Sequence, residues 1–455
     1  MPKKTVMSGG HIVLPDRVVK ASLVLEGEKI TGICTGVPFG DYDVIDVSGK
    51  YLLPGLLDSH VHMWDPSPMN YREDWHCGSM AAVSGGITTI VEMPLSVPPV
   101  VDRAGFLLKK EVASRESVAD FALWGGLIPS CVGNLRELDE LGCVAYKGFL
   151  SFANPDYPQI TDGYLVEAMK EAAAFDGLIG VHAENAEAAE FGVQRMIAEG
   201  EMDEARYDEA RPWWVEVEAI QRAALFARVC SCRLYICHLS SYQGAEFLSR
   251  EKNKGLEVTV ETWPHYLLFD NTYLREKKAF AKCNPPLRNR ENVEKLWDAL
   301  FDGSIDVIGS DHGPYTDQEK QREGCFWREY SGFGGFDAML PAMLTEGYWK
   351  RGLPLWRLAG LLAGNAASTF GLDDRKGSLL PGADADIVVV DLDKEWQYDG
   401  TRSFSKTKTA NHVYQNMKMK GSVEQTYVRG TLVYDRGMVK VSGGHGTYIG
   451  KRRKN

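Results

Sequence analysis

The sequence predicts an α/β protein, a (β/α)8 TIM barrel with a small β-sandwich domain formed from both termini. Two observations predict this fold. Short apolar runs alternate with helical segments through the middle of the 455-residue chain, as expected for parallel strands buried on both faces. Both ends are β-rich and poor in helix. Alternation over about 300 residues favours a closed barrel, although pattern alone leaves an open doubly wound sheet as an alternative.

The barrel is predicted from residues 54–375. Apolar runs of strand length lie at residues 88–93, 178–182, 234–238, 258–262 and 305–310. Segments with helical periodicity lie between them, at residues 163–175, 215–230 and 290–301. Catalytic groups of such a barrel gather at the carboxyl ends of its strands.

The small domain is predicted from residues 1–53 and 376–455. Short β-rich segments separated by Gly, Pro and Asp lie at residues 11–14, 21–26, 29–33, 386–391 and 424–434. Neither end has enough helix to form an α/β domain of its own. We therefore expect the two ends to build one β-sandwich together.

Composition restricts the classes of function. The net charge of −11 argues weakly against a nucleic acid or an anionic membrane as partner. No run approaches the roughly 18 apolar residues of a membrane helix, and no secretory signal is recognisable. The nine cysteines are scattered, which suits a reducing, cytoplasmic compartment better than a disulfide framework.

Polar side chains at the ends of apolar runs predict a metal site. Five residues stand in this position: His60, His62, His182, His238 and Asp311. Imidazole and carboxylate are the ligands that hydrolytic metal sites use. His60 and His62 are two residues apart, so a strand directs both to one side. One strand-terminal histidine is more often structural, but this ordered set favours metal binding.

Lys147 closes a further apolar run, Gly142-Cys-Val-Ala-Tyr. A lone buried ammonium among metal ligands would be costly and would repel the cations. If CO2 carboxylates the amine, it becomes an anion whose two oxygens can bridge two metals. The alternative is a lysine that reaches water or pairs with a carboxylate. The flanking histidines favour the bridging role.

Six segments in fixed order carry a family resemblance: Pro54-Gly-Leu-Leu-Asp-Ser-His-Val-His, Tyr146-Lys-Gly-Phe, Val181-His-Ala-Glu-Asn, Cys237-His-Leu-Ser-Ser, Cys283-Asn-Pro-Pro-Leu-Arg and Ser310-Asp-His-Gly-Pro. Together they resemble the amidohydrolase superfamily, and within it the cyclic-amidohydrolase branch of allantoinases, hydantoinases, dihydropyrimidinases and dihydroorotases. The resemblance covers nearly the whole chain.

Within this branch the sequence is most similar to allantoinases. Gly85-Gly-Ile-Thr-Thr-Ile-Val-Glu-Met-Pro-Leu resembles their version of this strand. The dihydroorotase pattern H-x-H-x-R is absent, because Trp64 stands where its Arg would be. Phe152 replaces the Tyr that hydantoinases usually place five residues after the bridging Lys. Two loops, residues 63–76 and 325–337, differ from the usual allantoinase pattern and leave the identity of the substrate ring open.

The resemblance implies two divalent metal ions, zinc or else manganese, cobalt or iron, bridged by N6-carboxylated Lys147. His60, His62 and Asp311 would hold the more buried ion, and the other two histidines the more exposed one. Asp311 would also be the catalytic proton shuttle between the attacking water and the leaving nitrogen.

The substrate implied is a small cyclic ureide, allantoin, opened to allantoate in purine catabolism. We expect Asn284, Gly332 and Phe152 to bind it, since glycine allows close backbone approach. Arg72 and Arg288 could contact a polar substituent or serve in structural ion pairs.

Two other functions remain open from sequence. One is a hydantoinase- or dihydropyrimidinase-type cyclic amidase, and the other is a non-catalytic relative that uses the barrel as a scaffold. The partners expected are the small cyclic ureide and further copies of the chain, since dimers and tetramers are common in the family. Neither nucleic acid nor membrane is expected.

Overall fold

The computed structural model describes residues 4–153, 156–321, 324–407 and 412–451. The strands are β1 (Lys4–Ser8), β2 (His11–Val13), β3 (Val18–Lys20), β4 (Ser22–Glu26), β5 (Lys29–Cys34), β6 (Asp43–Asp46), β7 (Tyr51–Pro54), β8 (Leu56–Val61), β9 (Ile87–Glu92), β10 (Asp120–Gly126), β11 (Ala145–Phe149), β12 (Leu178–His182), β13 (Arg233–Ile236), β14 (Val258–Thr262), β15 (Val307–Ile308), β16 (Ile387–Gln397), β17 (Lys418–Val428), β18 (Thr431–Asp435) and β19 (Met438–Val439).

The helices are α1 (Trp75–Ser84), α2 (Arg103–Glu116), α3 (Leu135–Leu141), α4 (Asp162–Ala173), α5 (Ala186–Ala198), α6 (Tyr207–Ala210), α7 (Trp213–Cys230), α8 (Tyr242–Asn253), α9 (Pro264–Leu268), α10 (Tyr273–Lys277), α11 (Arg290–Asp302), α12 (Phe336–Met343), α13 (Leu355–Ala359) and α14 (Asn365–Thr369). None of the helices in the described ranges is both long and apolar enough to cross a membrane.

Strands β8 to β15 form the barrel in the order of the chain, each parallel to the next. The barrel closes where Val61 forms a parallel bridge with His312, and the His62 N–H donates to the His312 carbonyl at 2.7 Å. Every residue of β8, β9 and β10 is buried, because helices cover the outside of a closed parallel sheet. The predicted TIM barrel is confirmed.

The remaining strands form two sheets. One has four N-terminal strands in the order β5-β4-β1-β6, and the other has seven strands in the order β19-β18-β17-β16-β7-β2-β3. The second sheet joins the two ends of the chain, since β7 pairs antiparallel with β16. Apolar side chains from both sheets, including Leu23 and Val389, share one buried cluster. The predicted β-sandwich from both termini is therefore present.

Two predicted strands differ from the structure. Residues 424–434 are not one strand, because Arg429 and Gly430 adopt positive φ values of 46° and 74° and turn the chain from β17 into β18. The run 305–310 contributes only Val307–Ile308. Beyond it, the Ser310 N–H donates to the side chain of Asp58 in β8 at 3.0 Å rather than to a backbone carbonyl.

Candidate metal centre

The six predicted ligands all lie at the carboxyl ends of barrel strands. His60 lies within β8 and Lys147 within β11, while His182 ends β12. The other three follow strands: His62 comes directly after β8, His238 two residues after β13 and Asp311 three residues after β15. Five different strands thus supply the set, as expected for an active site at this face of a barrel.

His60, His62 and Asp311 form a compact group. Asp311 Oδ1 lies 3.2 Å from His60 Nε2 and 3.1 Å from His62 Nε2. One ligand atom from each residue lies within 4.8 Å of the others. Two imidazoles and a carboxylate that converge in this way suit a divalent transition metal.

His182 and His238 form a second pair beside this group. His182 Nδ1 lies 3.0 Å from His238 Nε2, and both side chains are buried. The rings of His60 and His238 have centroids 5.5 Å apart. The two ligand groups are therefore neighbours in one site.

Lys147 is fully buried between these groups. Its Nζ has no hydrogen-bond partner among the described residues. Burial lowers the pKa values of His62, His182 and His238, and the nearby Lys147 charge acts in the same direction. The neighbours of Lys147 include the Cys237 thiol and the Phe149 ring, but it forms no ion pair with a carboxylate among the described residues. A buried amine beside imidazoles and without a counter-charge fits a group whose modified form is anionic and contacts metals, because an unpaired buried ammonium is costly.

Electrostatics keep the histidines in the form that binds metals. Burial, followed by the nearby Lys147 charge, lowers the pKa of His62 to about 3. Burial also raises the pKa of Asp311 to about 7, although the neighbouring His60 and Lys147 act in the opposite direction. Metal ions bind the neutral imidazole, so the fold prepares these rings for coordination.

Two of the predicted ligands have a strained backbone. His238 and Asp311 have φ values of 44° and 45°, in the left-handed region that non-glycine residues rarely adopt. Each such residue costs about 1–3 kcal/mol and persists only where its surroundings fix it. At His238 the backbone N–H donates to Glu261 Oε2 at 3.0 Å.

The similarity of this chain to known proteins agrees with the residues found at the site. The sequence profile of the amidohydrolase family matches residues 51–433. The chain is 36% identical over 444 residues to an allantoinase of Solibacter usitatus (strain Ellin6076), which covers 96% of this chain and 95% of that protein. The chain belongs to the amidohydrolase family.

Solved amidohydrolase structures share the whole fold. An L-hydantoinase (dihydropyrimidinase) from Arthrobacter aurescens superposes with a TM-score of 0.95 at 32% identity, over 99% of this chain and 100% of that one. A dihydropyrimidinase from Brevibacillus agri NCHU1002 superposes with a TM-score of 0.92 at 26% identity, over 99% of each chain. Both sheets of the small domain and the barrel are included in these matches.

The predicted substrate-binding residues lie on loops, each with its own local contacts. Asn284 Oδ1 accepts a hydrogen bond from the Tyr207 hydroxyl at 2.7 Å. Gly332 has a φ of 123°, which favours glycine, and its N–H donates to the Lys282 carbonyl at 2.9 Å. Phe152 lies on the loop after β11 and is 71% exposed.

Arg72 lies in an aromatic cluster next to the site. Its guanidinium lies over the rings of Trp64 and Tyr315, at 4.8 and 4.5 Å from their centroids, and its Nε donates to Glu319 at 2.8 Å. Trp64 in turn stacks on His62. Arg72 thus ties the loop after His62 to the loop after Tyr315 in this amidohydrolase.

Sequence reasoning missed two buried carboxylates beside the ligands. Glu261, in β14, lies 3.0 Å from His60 Nδ1, and Glu184 lies 2.8 Å from His182 Nε2. Both residues are fully buried. A signal was available, because a carboxylate within or directly after an apolar strand must be paired.

Neighbouring groups favour the ionised form of both carboxylates. Burial opposes ionisation of Glu261, but His60 and the hydrogen bond from Ser59 outweigh it and lower its pKa. Burial likewise opposes ionisation of Glu184, whose pKa Arg211 and His182 nevertheless hold well below its ordinary value. Both glutamates are therefore anions that can orient a histidine ring.

The side chains of Glu261 and Ser59 pack against Gly309, where a larger residue would collide with them. A Cβ at Gly309 would lie 2.6 Å from Glu261 Oε1 and 2.7 Å from Ser59 Oγ. Cys237 also lies within 4.8 Å of His60 and Glu261. The Glu261 oxygens already accept from Ser59, Tyr235 and His60, so this second group is a hydrogen-bonded network.

Proposed function

We propose that this amidohydrolase opens the ring of allantoin to allantoate with two divalent metal ions bridged by carboxylated Lys147. The observation that carries the proposal is that Nε2 of His60 and Nε2 of His62 lie 3.2 and 3.1 Å from Asp311 Oδ1. The pair His182 and His238 lies beside this group. The allantoinases among the relatives, at 36% identity over nearly the whole chain, support the choice of substrate.

Each ligand has a separate role in the proposal. His60, His62 and Asp311 would hold one ion, His182 and His238 would hold the other, and carboxylated Lys147 would supply the shared ligand. Bound there, the two ions would supply a water molecule of lowered pKa and polarise the amide carbonyl. Asp311 accepts the proton of the attacking water at its carboxylate and delivers it to the leaving nitrogen. Zinc is the proposed metal, with manganese, cobalt and iron compatible with the same ligands.

The loops around the barrel mouth bind the ring in this proposal. Backbone groups at Asn284 and Gly332 meet its amide and carbonyl groups. The Gly332 N–H already donates to the Lys282 carbonyl, so Gly332 offers its own carbonyl oxygen to the ring. Phe152, exposed at the rim, covers the bound ring. The chain acts as a dimer or tetramer.

The direct test is turnover of allantoin by protein loaded with metal in the presence of bicarbonate. We expect allantoate to form at a rate that depends on bound metal. A matched sample stripped of metal serves as the control. Absence of ring opening in protein that carries two ions per chain would exclude allantoin as the substrate.

A second candidate is the hydrolysis of hydantoins. It is favoured by the TM-score of 0.95 with the L-hydantoinase structure and by 33% identity to an L-hydantoinase from Paenarthrobacter aurescens. Turnover of hydantoin or dihydrouracil faster than allantoin would establish it. A non-catalytic scaffold would take up no metal and open none of the three rings.

A further inference from the structure

His182 directs its two ring nitrogens to different neighbours. Nδ1 faces His238 Nε2 at 3.0 Å, and Nε2 faces Glu184 Oε2 at 2.8 Å. A carboxylate accepts hydrogen bonds but does not donate them. The proton of the neutral ring therefore lies on Nε2, and Nδ1 keeps its lone pair on the side of His238.

Arg211 fixes the carboxylate of Glu184. Its Nε donates to Glu184 Oε1 at 2.9 Å and its Nη2 donates to Oε2 at 2.5 Å. This two-point contact sets the plane of the carboxylate as well as its charge. Glu184 has no exposed surface, so solvent does not compete for it.

Arg211 is itself held from the other side. Its backbone carbonyl accepts from Arg288, whose Nε donates to Ser240 Oγ at 3.1 Å. Ser240 lies two residues after His238 and donates to Glu216 at 2.8 Å. These contacts thus connect His182, through Glu184 and Arg211, to Arg288 and Ser240, and Ser240 lies beside His238.

We propose that Glu184, clamped by Arg211, is a positioning residue that fixes His182 with Nδ1 toward one metal position and thereby controls the affinity of that position alone. This inference rests on the proposed two-metal function. Hydrogen-bond partners behind metal-bound histidines commonly change metal affinity about 10- to 100-fold. Among the described residues, the Glu184 side chain bonds to His182 and Arg211 and not to His60, His62 or Asp311, so we expect its effect at the second position.

The test is an equilibrium zinc titration of metal-free protein in bicarbonate, with a competing chelator. Wild-type protein should bind two ions per chain. Glu184→Ala should weaken one of them about 10- to 100-fold and leave the other unchanged. Glu184→Gln keeps a carbonyl acceptor without the charge. Its affinity for that ion should lie between the affinities of wild type and Glu184→Ala. Glu187→Gln, an exposed change at the start of α5, the helix that follows Glu184, should match wild type.

Removal of Glu184 leaves Arg211 unpaired in the interior, which could prevent folding. The double variant Glu184→Met/Arg211→Met removes the ion pair as a unit and should show the same loss of one ion. Cobalt(II) absorption of the singly loaded protein should retain the spectrum of the first position. Wild-type affinity for both ions in these variants, or equal weakening of both, would overturn the inference. A wild-type chain that binds no zinc would instead refute the proposed function.

Discussion

Glu261 Oε2 lies 3.0 Å from Nδ1 of His60, and Nε2 on the opposite side of the ring lies 3.2 Å from Asp311 Oδ1. The carboxylate therefore decides which nitrogen of His60 faces the other ligands. Ser59 and Tyr235 donate to the second oxygen of Glu261 at 2.5 and 3.0 Å. The ring of His60 is oriented before any metal binds.

Loss of this orientation should weaken metal binding. In Glu261→Gln the amide retains the shape of the side chain but not its charge, so the proton on His60 Nδ1 is held less firmly. We expect about 10- to 100-fold weaker binding of one metal ion, measured by chelator competition. Glu257→Gln, an exposed change just before β14, is the control. Unchanged affinity in Glu261→Gln would show that the contact does not orient the ligand.

The Asp311 carboxylate should matter more for turnover than for folding. Asp311→Asn keeps the size of the side chain but cannot accept a proton from water. We expect kcat to fall about 10²- to 10⁴-fold, while thermal unfolding stays within a few degrees of wild type. Asp298→Asn, an exposed change in α11, should leave kcat unaltered. A variant with more than a tenth of wild-type kcat would contradict the role of proton shuttle.

Much of this architecture could be predicted from sequence because it follows from local patterns. The apolar runs at 178–182 and 258–262 coincide with β12 and β14, since a strand buried on both faces has a continuous apolar sequence. The helices predicted at 163–175, 215–230 and 290–301 match α4, α7 and α11 within two residues at each end. The ligands stood out because each ends such a run.

Other features depend on contacts that sequence pattern does not reveal. The hairpin at Arg429 forms because its backbone N–H bonds to Asp386 and its side chain pairs with Asp120, more than 300 residues away. The apolar runs around Glu184 and Glu261 indicate that each carboxylate must be paired, but only the fold shows that their partners are His182 and His60. Phe152 is exposed, and its proposed role depends on a substrate.

The small domain is joined to the barrel by a buried ion cluster. Lys376 Nζ lies 2.6 Å from Asp120 Oδ2, 2.7 Å from Asp386 and 3.0 Å from Asp384. Asp120 opens barrel strand β10, whereas Asp386 precedes β16 of the small domain. All four side chains are buried.

Removal of the Lys376 ammonium should destabilise the protein strongly. Lys376→Met fills a similar volume but removes a counter-charge from the buried cluster. Asp120 keeps Arg429, and Asp384 keeps Arg375 and Lys29, whereas Asp386 loses its ion-pair partner among the described residues. The free energy of unfolding should fall by about 3–5 kcal/mol, measured by urea denaturation. Lys350→Met, which breaks an exposed contact with Glu346, should cost only about 0.3–0.5 kcal/mol. Equal effects of the two changes would contradict the structural role of the cluster.

His265 should make stability sensitive to acid. Burial lowers the pKa of His265 to about 3, from 6.5 in an exposed ring. The unfolded chain therefore takes up a proton that the folded chain excludes, and stability is lost as the pH falls from 6.5 toward 3. At pH 5 this loss is about 2 kcal/mol.

The variant His265→Phe lacks this proton uptake. Between pH 7.5 and pH 5, its free energy of unfolding should fall by about 2 kcal/mol less than that of wild type. Urea denaturation at the two pH values measures the difference. His76→Phe, on α1, controls for the loss of a histidine. Parallel pH profiles for wild type and His265→Phe would contradict the prediction.

The most direct test of the account is the number of metal ions bound per chain, measured by elemental analysis after preparation with zinc and bicarbonate. The account predicts two ions in wild type and fewer than one in Lys147→Ala, with partial recovery of metal and turnover when small carboxylic acids are added. A wild-type chain without metal, or a Lys147→Ala chain that still holds both ions, would contradict it.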